Sequence, residues 1–452
     1  MSPKENVIGS KTHSLEGQVM VKKGLICVLI VASFLSLAGC GGKGEQSGGK
    51  TKVDFWYGFG GPLGESLERM IAEFNSAHPD IEVSGVSMGQ YAALSQKIMA
   101  SIAAGNPPTL AQVYENWTAN FIEAGAIVPM QSFVDGPNGL GQEDLADIFP
   151  VFLDGGTVEG QLWTFPFNKG LPAIYYNKEM LEKAGYSPDQ PPRTWEEFRE
   201  MAAKMTMDTD GDGNPDQWGT SFSIPTIFAM YQLIMVQNGG QILNDDGTEF
   251  LFNSPTGVAA LQYLIDLVKK DQVAYIAPGA YEHQTDFVSK KVAMIQGHIV
   301  SRKYMEPQLT FVPGIAAIPQ GEKPAVMLTG TNLAIFSKAT EKEQQAAWAF
   351  IKWLGEVEQQ ARWAVETSYV PIRRSALDLE LMRAEFEKVP GLEAVMRQME
   401  FAVPQPKNAQ WLSGRRQLQE EAIETTMRGK KPAREALDAV AQRLNQELAQ
   451  AQ

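Results

Sequence analysis

The sequence predicts an α/β fold with doubly wound sheets that are divided between two lobes. Short apolar segments of strand composition alternate with helix-length segments whose apolar residues recur every three or four positions. This alternation is typical of parallel, doubly wound sheets. The chain has 452 residues, of which roughly 400 remain once an N-terminal signal is set aside, and a chain of that length is too long for one hydrophobic core.

The elements follow one another in a regular order. The strand 53–59 ends in a glycine-rich turn, and a helix follows in which Pro62 suits the first turn. Its apolar residues are helically spaced: Leu63, Leu67, Met70, Ile71 and Phe74. The tail from Arg416 onward is predicted to be helical. The remaining predictions are a helix over 94–102 and strands at 80–86, 108–114, 162–167, 172–177, 291–297, 311–319 and 332–337.

Residues 1–39 have the pattern of a secretory signal, with Met20 as the more plausible start. Two lysines precede an apolar run that ends at Ala38 and is too short to cross a bilayer. The sequence LAGC at 37–40 resembles the bacterial lipobox, which implies cleavage before Cys40 and lipidation of its thiol. The alternative is an ordinary secretory signal with an incidental cysteine. The lipidated Cys40 is followed by residues 41–52, which are rich in Gly, Ser and Lys. Residues 40–52 are thus predicted to form a lipid-bearing, flexible leash.

Charge and cysteine content exclude several classes of function. The net charge of −14 disfavours nucleic acid and anionic lipid headgroups as partners, although an acidic surface also simply keeps a protein soluble. Cys27 lies in the predicted signal, so Cys40 is the one cysteine left after cleavage. The mature chain therefore has no pair of thiols for a disulfide or a CxxC metal site.

Two motifs that suggest enzymes are incomplete. Gly58 and Gly60 begin a dinucleotide fingerprint, but its third glycine position is occupied by Leu63. The segment GVSMG, 85–89, matches the nucleophile-elbow pattern around Ser87, yet neither His283 nor His298 lies in a sequence context typical of a triad. With His78 these are the histidines of the mature chain, and none has zinc-ligand spacing.

The acidic segment DTDGDGNPDQWG, 208–219, is more specific. Its alternating acidic residues and the central Gly213 follow the calcium-loop pattern, although the twelfth position is Gly219 instead of a glutamate. The other interpretation is a surface turn whose side chains accept hydrogen bonds from backbone amides. The protein is expected to need no cofactor, with calcium as the one candidate. The candidate calcium ligands are Asp208, Asp210, Asp212, Asn214 and Asp216.

Aromatic residues gather near predicted strand ends, where open α/β sheets bind their ligands. Many aromatic residues serve hydrophobic cores, so only those beside a turn are strong candidates for a cleft. The candidates carried forward are Tyr57, Tyr91, Trp117, Phe228, Tyr369 and Trp411.

The order of motifs along the mature chain resembles the extracellular solute-binding proteins of bacterial ABC importers. These include the carbohydrate-binding family of maltose- and glycerol-3-phosphate-binding proteins. The segments that carry the resemblance are FWYGFGGPLGESLERMIAEFNSAHPDIEV, AAGNPPTLAQVYE, PFNKGLPAIYYNKEMLEKAG, PPRTWEEF, ETSYVPIRRSA and GRRQLQEEAIETTMRGKKPAREALDAVAQRLNQEL. The resemblance implies two lobes joined by hinge strands, a type II periplasmic-binding-protein-like fold. One lobe would comprise 53–168 and 318–368, and the other 169–317 and 369–452.

The resemblance also implies a set of ligand positions. Gly170 departs from the pattern, because Lys169 and Gly170 stand where the phosphate binder has a serine pair. A tryptophan platform of the family falls near Pro225 and Phe228, which leaves only Phe228 as a stacking face. The implied ligand positions are Tyr91, Glu115, Gly170, Gly330, Tyr369 and Arg416.

These observations predict a monomeric, lipid-anchored, non-catalytic receptor that delivers its ligand to ABC permease subunits outside the cytoplasm. The ligand is expected to be a saccharide, with glycerol-3-phosphate or a glycerophosphodiester as the alternative. A surface glycosidase or esterase is a weaker alternative. Arg416 and Lys169, if both face the cleft, require either Glu115 as a counter-charge or an anionic ligand, because unpaired buried charge is costly. The other interpretation is that Lys169 points to solvent and Arg416 makes a salt bridge within its lobe.

Overall fold

The computed structural model of the protein describes residues 49–406 and 409–451. The predicted signal, Cys40 and most of the leash lie outside this range. The strands are β1 Thr51–Tyr57, β2 Ile81–Ser87, β3 Leu110–Val113, β4 Thr157–Val158, β5 Gln161–Leu162, β6 Phe165–Gly170, β7 Pro172–Asn177, β8 Trp218–Phe222, β9 Ala274–Ile276, β10 Val292–His298, β11 Pro313–Ala316, β12 Val326–Met327, β13 Thr329–Ile335 and β14 Ala402–Val403.

Helices cover the sheets. They are α1 Gly61–Ala77, α2 Tyr91–Ala103, α3 Glu115–Glu123, α4 Gln131–Val134, α5 Gln142–Asp147, α6 Pro150–Gly155, α7 Lys178–Lys183, α8 Trp195–Met205, α9 Ile224–Gln237, α10 Pro255–Lys269, α11 Glu282–Val288, α12 Ser301–Met305, α13 Glu341–Leu354, α14 Val357–Thr367, α15 Glu380–Lys388, α16 Leu392–Arg397, α17 Ala409–Gln417, α18 Thr425–Met427 and α19 Ala433–Ala451. A π-helical segment, Leu418–Glu424, joins α17 to α18. Within the described range, no helix is both long and apolar enough to span a membrane.

Two five-stranded sheets form the centres of the two lobes. Sheet 1 has the order β2-β1-β3-β13-β6, and sheet 2 has the order β11-β7-β10-β8-β9. Strand β1 is parallel to β2 and β3, whereas β13 is antiparallel to β3 and β6. In sheet 2, β8 is parallel to β9 and β10, whereas β7 is antiparallel to β10 and β11. The α/β architecture is as predicted.

The sheets are not parallel throughout, because β13 and β7 run antiparallel to their neighbours. Parallel neighbours need a helical crossover, and that crossover determines their direction. Strand β7 follows β6 after Leu171 alone, and β13 follows β11 after a segment that passes between the lobes. Both strands therefore enter their sheet from the other lobe, without a helix that would set them parallel to their neighbours.

Each sheet is packed against its own apolar helix faces. In lobe 1, Leu67 and Phe74 of α1 are fully buried beside Phe55 of β1. In lobe 2, Phe198 of α8 and Tyr231 of α9 are fully buried in a second core. Burying a large apolar side chain contributes about 1.5 to 3 kcal/mol, so each lobe has its own source of stability and the cleft between them is free to carry polar residues.

The chain passes near the cleft at three points. The first is Leu171 between β6 and β7, and the second is the segment from β11 to β13. The third follows α14, where buried Ser368 has a φ of 66° and the Val370 N–H donates to the Lys169 carbonyl over 2.8 Å. The predicted lobe boundaries after 168, 317 and 368 stay predictions, with β6 belonging to sheet 1 as far as Gly170.

Candidate ligand-binding site

The candidate site lies at the carboxyl ends of the parallel strands of sheet 1. Strand β1 ends before Gly58, strand β3 ends before Tyr114, and α2 begins at Tyr91. A Cβ at position 58 would lie 2.7 Å from the ring of Tyr91. Glycine is therefore needed there for the tyrosine to pack over the strand end. Tyr91 and Tyr114 meet edge to face with ring centroids 5.0 Å apart, forming an aromatic wall of the cleft.

An ion pair joins two of the predicted ligand residues. Lys169 Nζ donates to Glu115 Oε1 over 2.7 Å. The lysine side chain is fully buried and the glutamate side chain is 14% exposed. Glu115 is the first residue of α3, where the helix dipole favours a negative charge, and Gly155 leaves room for its carboxylate. Because Glu115 neutralises Lys169, the pair offers no net positive charge to a ligand.

Tyr91 and Tyr369 approach one another at the centre of the site. Their hydroxyl oxygens are 3.4 Å apart, and Asn168 Nδ2 donates to the Tyr91 oxygen over 3.0 Å. Burial raises the pKa of both tyrosines, so both hydroxyls stay protonated at neutral pH. The Tyr369 ring is parallel to Trp363, with centroids 6.0 Å apart, which fixes its position.

The imidazole ring of His298 occupies the space beside the Cα atom of Gly170. A Cβ at position 170 would collide with the imidazole ring. His298 Nε2 is 2.7 Å from Thr329 Oγ1, and that hydroxyl donates to the Gly170 carbonyl over 3.1 Å. Burial lowers the pKa of His298 to about 4, which keeps the ring neutral at physiological pH. The imidazole thus fills the space that a side chain at 170 would need.

Gly330 has a structural reason to be glycine. Its φ is 128°, and a Cβ there would collide with the Asn168 carbonyl. The residue lies at an irregularity in the pairing of β13 with β6. Its backbone thereby packs directly against the strand that carries Asn168 and Lys169.

Of two adjacent arginines, Arg415 lies beside the predicted contact Phe228, whereas the predicted Arg416 points to solvent in the structure. Arg416 is exposed and pairs with Glu420 one helical turn away, at 2.9 Å. Arg415 is half-buried, and its guanidinium carbon lies 5.6 Å from the centre of the Phe228 ring. Loss of solvation lowers its pKa, which the nearby Tyr114 partly offsets. Among residues 49–406 and 409–451, no carboxylate lies within ion-pair distance of it.

The two arginines differ because adjacent residues of a helix point about 100° apart. Arg415 and Arg416 therefore lie on different faces of the chain. The resemblance placed the ligand-binding arginine at Arg416, and two adjacent arginines give no local signal in the sequence that would favour one over the other.

Three predicted aromatic contacts are located in cores or behind the cleft. Tyr57 is 1% exposed, donates to Glu68 over 3.1 Å and packs on Phe59. Trp411 is fully buried in the core of lobe 2, beside Phe250. These two side chains face the cores instead of the cleft: successive residues of a strand alternate between the two faces of its sheet, and a helix turns each residue about 100° from the one before it. Trp117 lies behind Tyr114, with centroids 5.2 Å apart.

The acidic loop lies apart from the cleft elements, between α8 and β8. Carboxylate oxygens of Asp208, Asp210 and Asp216 come within 4.8 Å of one another, and all three side chains are exposed. Asp208 already accepts hydrogen bonds from the Gly211 and Gly213 amides. Asp212 and Asn214 are outside this group of three. Both predicted interpretations, a calcium loop and a turn held by side-chain hydrogen bonds, are compatible with this geometry.

Four residues of the site were not predicted as ligand contacts: Tyr114, Asn168, His298 and Arg415. The signal for Tyr114 and Asn168 was their position directly beside Glu115 and Lys169. His298 was considered only as a triad partner of Ser87, whose hydroxyl instead donates to the Phe59 carbonyl over 2.9 Å. The collision between the His298 ring and a side chain at 170 could not be read from the sequence, because the two residues are 128 positions apart.

Comparison with known proteins agrees with this geometry. Residues 69–394 match the family model described as bacterial extracellular solute-binding protein. The chain belongs to this family. The sn-glycerol-3-phosphate-binding periplasmic protein UgpB of Pectobacterium atrosepticum is 29% identical over 415 residues, covering 87% of this chain and 90% of that protein. The Escherichia coli K12 protein of the same name is 28% identical, with coverages of 88% and 92%.

Solved structures of solute-binding proteins share the fold. The UgpB structure from Mycobacterium tuberculosis, in complex with glycerophosphocholine, has a TM-score of 0.76 and 21% identity, covering 89% of this chain and 99% of that one. The cyclic α-maltosyl-1,6-maltose binding protein of Arthrobacter globiformis has a TM-score of 0.75 and 23% identity, with coverages of 88% and 99%.

The solute-binding protein is therefore an extracytoplasmic receptor of an ABC importer, and it is not an enzyme. Its two doubly wound lobes are those of the maltose-binding and UgpB type.

Proposed function

We propose that this receptor binds a small anionic polyol, glycerol-3-phosphate or a glycerophosphodiester, in the cleft between its lobes. The observation that carries the proposal is the charge of the site. Glu115 neutralises Lys169, whereas Arg415 is half-buried and has no carboxylate partner among the described residues. A desolvated cation without a counter-charge is unfavourable. An anionic ligand supplies that counter-charge, and a guanidinium holds phosphate oxygens in a two-pronged geometry.

The saccharide that the sequence favoured has less support from the geometry. Sugar rings are commonly held on exposed aromatic faces, and two of the predicted faces, Tyr57 and Trp411, are buried in cores. The guanidinium of Arg415 lies against the ring of Phe228. The similar UgpB proteins of Pectobacterium atrosepticum and Escherichia coli K12 are sn-glycerol-3-phosphate-binding proteins, which supports the anionic ligand.

The test is titration calorimetry with glycerol-3-phosphate, glycerophosphocholine and maltose, at low and high salt. We expect the phosphate compounds to bind more tightly than maltose, with affinity that falls as salt rises, because salt screens charge attraction. Arg415→Gln removes the positive charge that faces the phosphate. It should weaken binding by about 2 kcal/mol or more, which is a roughly 30-fold loss of affinity.

Arg416→Gln is the matched control, since it removes the same charge one residue away on an exposed face. We expect it to leave affinity within about twofold, because an exposed ion pair contributes little. Tighter binding of maltose, or equal losses from the two substitutions, would contradict the proposal and favour the saccharide.

We also propose that the receptor is held at the membrane by a lipid on Cys40 and works as a monomer beside its permease subunits. The LAGC sequence before a Gly- and Ser-rich leash supports the anchor, and tethering raises the effective concentration of receptor at the transporter. Cys40→Ser should move the protein from the membrane fraction to the soluble fraction and abolish incorporation of labelled palmitate. Retention in the membrane fraction after this substitution would overturn the anchor.

A further inference from the structure

A row of buried polar side chains crosses sheet 1 beneath Tyr91 and Tyr369. Gln112 of β3, Thr331 of β13 and Asn168 of β6 lie on neighbouring strands, and all three are fully buried. Gln112 Oε1 accepts from the Gly58 N–H over 2.8 Å, and Gln112 Nε2 donates to Asn168 Oδ1 over 3.1 Å. The row thus runs from the end of β1 to Asn168, directly below Tyr91.

The direction of every hydrogen bond in this row is fixed by its first member. A backbone N–H can only donate, so the atom of Gln112 that faces Gly58 must be the oxygen. The NH₂ group of Gln112 then faces Asn168, whose oxygen must accept from it. The Thr331 hydroxyl also donates to that oxygen. The orientation of both side-chain amides therefore follows from the backbone and is not a free choice.

The same reasoning reaches the ligand cleft. Because the Asn168 oxygen faces Gln112 and Thr331, its NH₂ group donates to the Tyr91 oxygen over 3.0 Å. A hydroxyl that accepts there directs its own hydrogen elsewhere, and the neighbouring group is the Tyr369 oxygen at 3.4 Å. Burial raises the pKa of Tyr369, whereas hydrogen bonds from Tyr91 and Asn168 oppose that rise. The hydrogen-bond contributions agree with a Tyr369 oxygen that accepts, which leaves its own hydroxyl hydrogen unused.

We propose that Gln112 and Asn168 are positioning residues: they direct the Tyr91 hydroxyl hydrogen to the Tyr369 oxygen and so leave the Tyr369 hydrogen to point toward the ligand. The ligand atom that faces Tyr369 is then a hydrogen-bond acceptor, such as a phosphate or ester oxygen. This inference rests on the proposed binding cleft. It adds that the cleft presents a hydrogen-bond donor to the ligand, which the charges of the site alone do not determine.

The test reverses the direction of the hydrogen bonds at the two tyrosines with a substitution that keeps the shape of the side chain. In Asn168→Asp, the introduced carboxylate still accepts from Gln112 and Thr331 but cannot donate to Tyr91. The Tyr91 hydroxyl must then donate to the carboxylate, and the Tyr369 hydroxyl turns toward Tyr91. The lone pairs of Tyr369, instead of its hydrogen, would face the ligand.

The first readout needs no ligand. The full chain is produced with tyrosine labelled with ¹³C at Cζ, and the two signals are assigned by their loss in Tyr91→Phe and Tyr369→Phe. We expect Asn168→Asp to shift the Tyr91 signal toward the phenolate position, because donation to a carboxylate pulls on the hydroxyl hydrogen. Thr331→Val is the matched control: it removes a donor to Asn168 but leaves Gln112 to hold the amide, and both tyrosine signals should stay within their normal range.

The second readout separates polarity from charge. Glycerophosphocholine is titrated into Asn168→Asp, Tyr91→Phe and the double variant. The new carboxylate repels the anion in every background, but it can invert the hydroxyls only where Tyr91 is present. We expect Asn168→Asp to weaken binding at least tenfold in the wild-type background and clearly less in the Tyr91→Phe background.

A charge-free variant covers the case in which the buried carboxylate prevents folding. Gln112→Met with Thr331→Val removes both donors to the Asn168 oxygen, so the amide is free to turn over, and the tyrosine signals should again move. Unchanged tyrosine signals in a folded Asn168→Asp or Gln112→Met/Thr331→Val protein would overturn the inference, as would equal losses of affinity in the two backgrounds. If glycerophosphocholine does not bind, the proposed ligand fails while the labelled tyrosines still decide the polarity.

Discussion

The ion pair between Lys169 and Glu115 joins a fully buried lysine to a glutamate that keeps some solvent contact. Such a pair contributes little compared with an apolar replacement, but removing one partner leaves an uncompensated charge. We expect Lys169→Met to lower the free energy of unfolding by about 3 kcal/mol. Adding Glu115→Gln should restore part of that loss, since it removes the orphaned charge. Urea denaturation of the two single variants and the double variant measures the coupling, and simple additivity of the two effects would contradict it.

His298 makes the stability of the site depend on pH. Its pKa falls from 6.5 to about 4 in the folded protein, mainly through burial. Between these values the unfolded chain binds more protons, so stability rises with pH and is lost as the pH drops from about 6.5 toward 4. One group contributes a slope of at most about 1.4 kcal/mol per pH unit, and the partial exposure of the ring makes the true slope smaller.

His298→Asn should therefore flatten the loss of Tm between pH 7 and pH 4.5, although buried His283, whose pKa burial also lowers to about 4, leaves part of the slope. His78→Asn is the control of the same residue type on α1's C-terminal side, far from the cleft. Thermal melts at half-unit pH steps make the comparison. An unchanged slope in His298→Asn would show that the ring does not titrate in this way.

At the scale of elements, the sequence was informative where periodicity is strong. The helix over 61–77 and the strand 172–177 follow directly from their apolar patterns. Strand β8 was missed because Thr220 and Ser221 break its apolar run even though both are fully buried. The choice between Arg415 and Arg416 depends on which face of the helix each residue occupies, and two adjacent arginines give no local signal of that face. The pairing of Gly170 with His298 depends on contact between distant strands.

The acidic loop between α8 and β8 is a separate element with its own prediction. Millimolar calcium should raise Tm, since a ligand that binds only the folded state stabilises it by RT ln(1 + [L]/Kd), roughly 1 to 3 kcal/mol at moderate saturation. Asp210→Ala should abolish the shift without changing ligand affinity in the cleft. Asp212→Ala is the informative comparison, because Asp212 lies outside the group of three close carboxylates. If Tm is the same with calcium and with chelator, the loop does not bind calcium and is a turn held by side-chain hydrogen bonds.

At the scale of the whole molecule, the two lobes touch across the mouth of the cleft. The Tyr304 hydroxyl, on α12 of lobe 2, donates to the Gly60 carbonyl of lobe 1 over 3.3 Å. Helix α17 also packs against α3. We expect both contacts to break when a ligand enters, with the three chain crossings acting as hinges about which the lobes rotate.

Ligand should therefore make the receptor more compact. Small-angle scattering is expected to show a smaller radius of gyration with glycerophosphocholine than without it. Tyr304→Phe, which removes only the hydroxyl contact, should shift the ligand-free protein toward the larger value. An identical scattering profile with and without a ligand that calorimetry shows to be bound would exclude closure as the response.

The contact between Gly170 and His298 also constrains how this receptor can change over evolutionary time. A side chain at position 170 requires the imidazole of His298 to move away from its hydrogen bond with Thr329. Replacing the histidine first by a smaller residue avoids that collision, at the cost of an unfilled space beside Gly170. We therefore expect positions 170 and 298 to change together when related receptors change specificity.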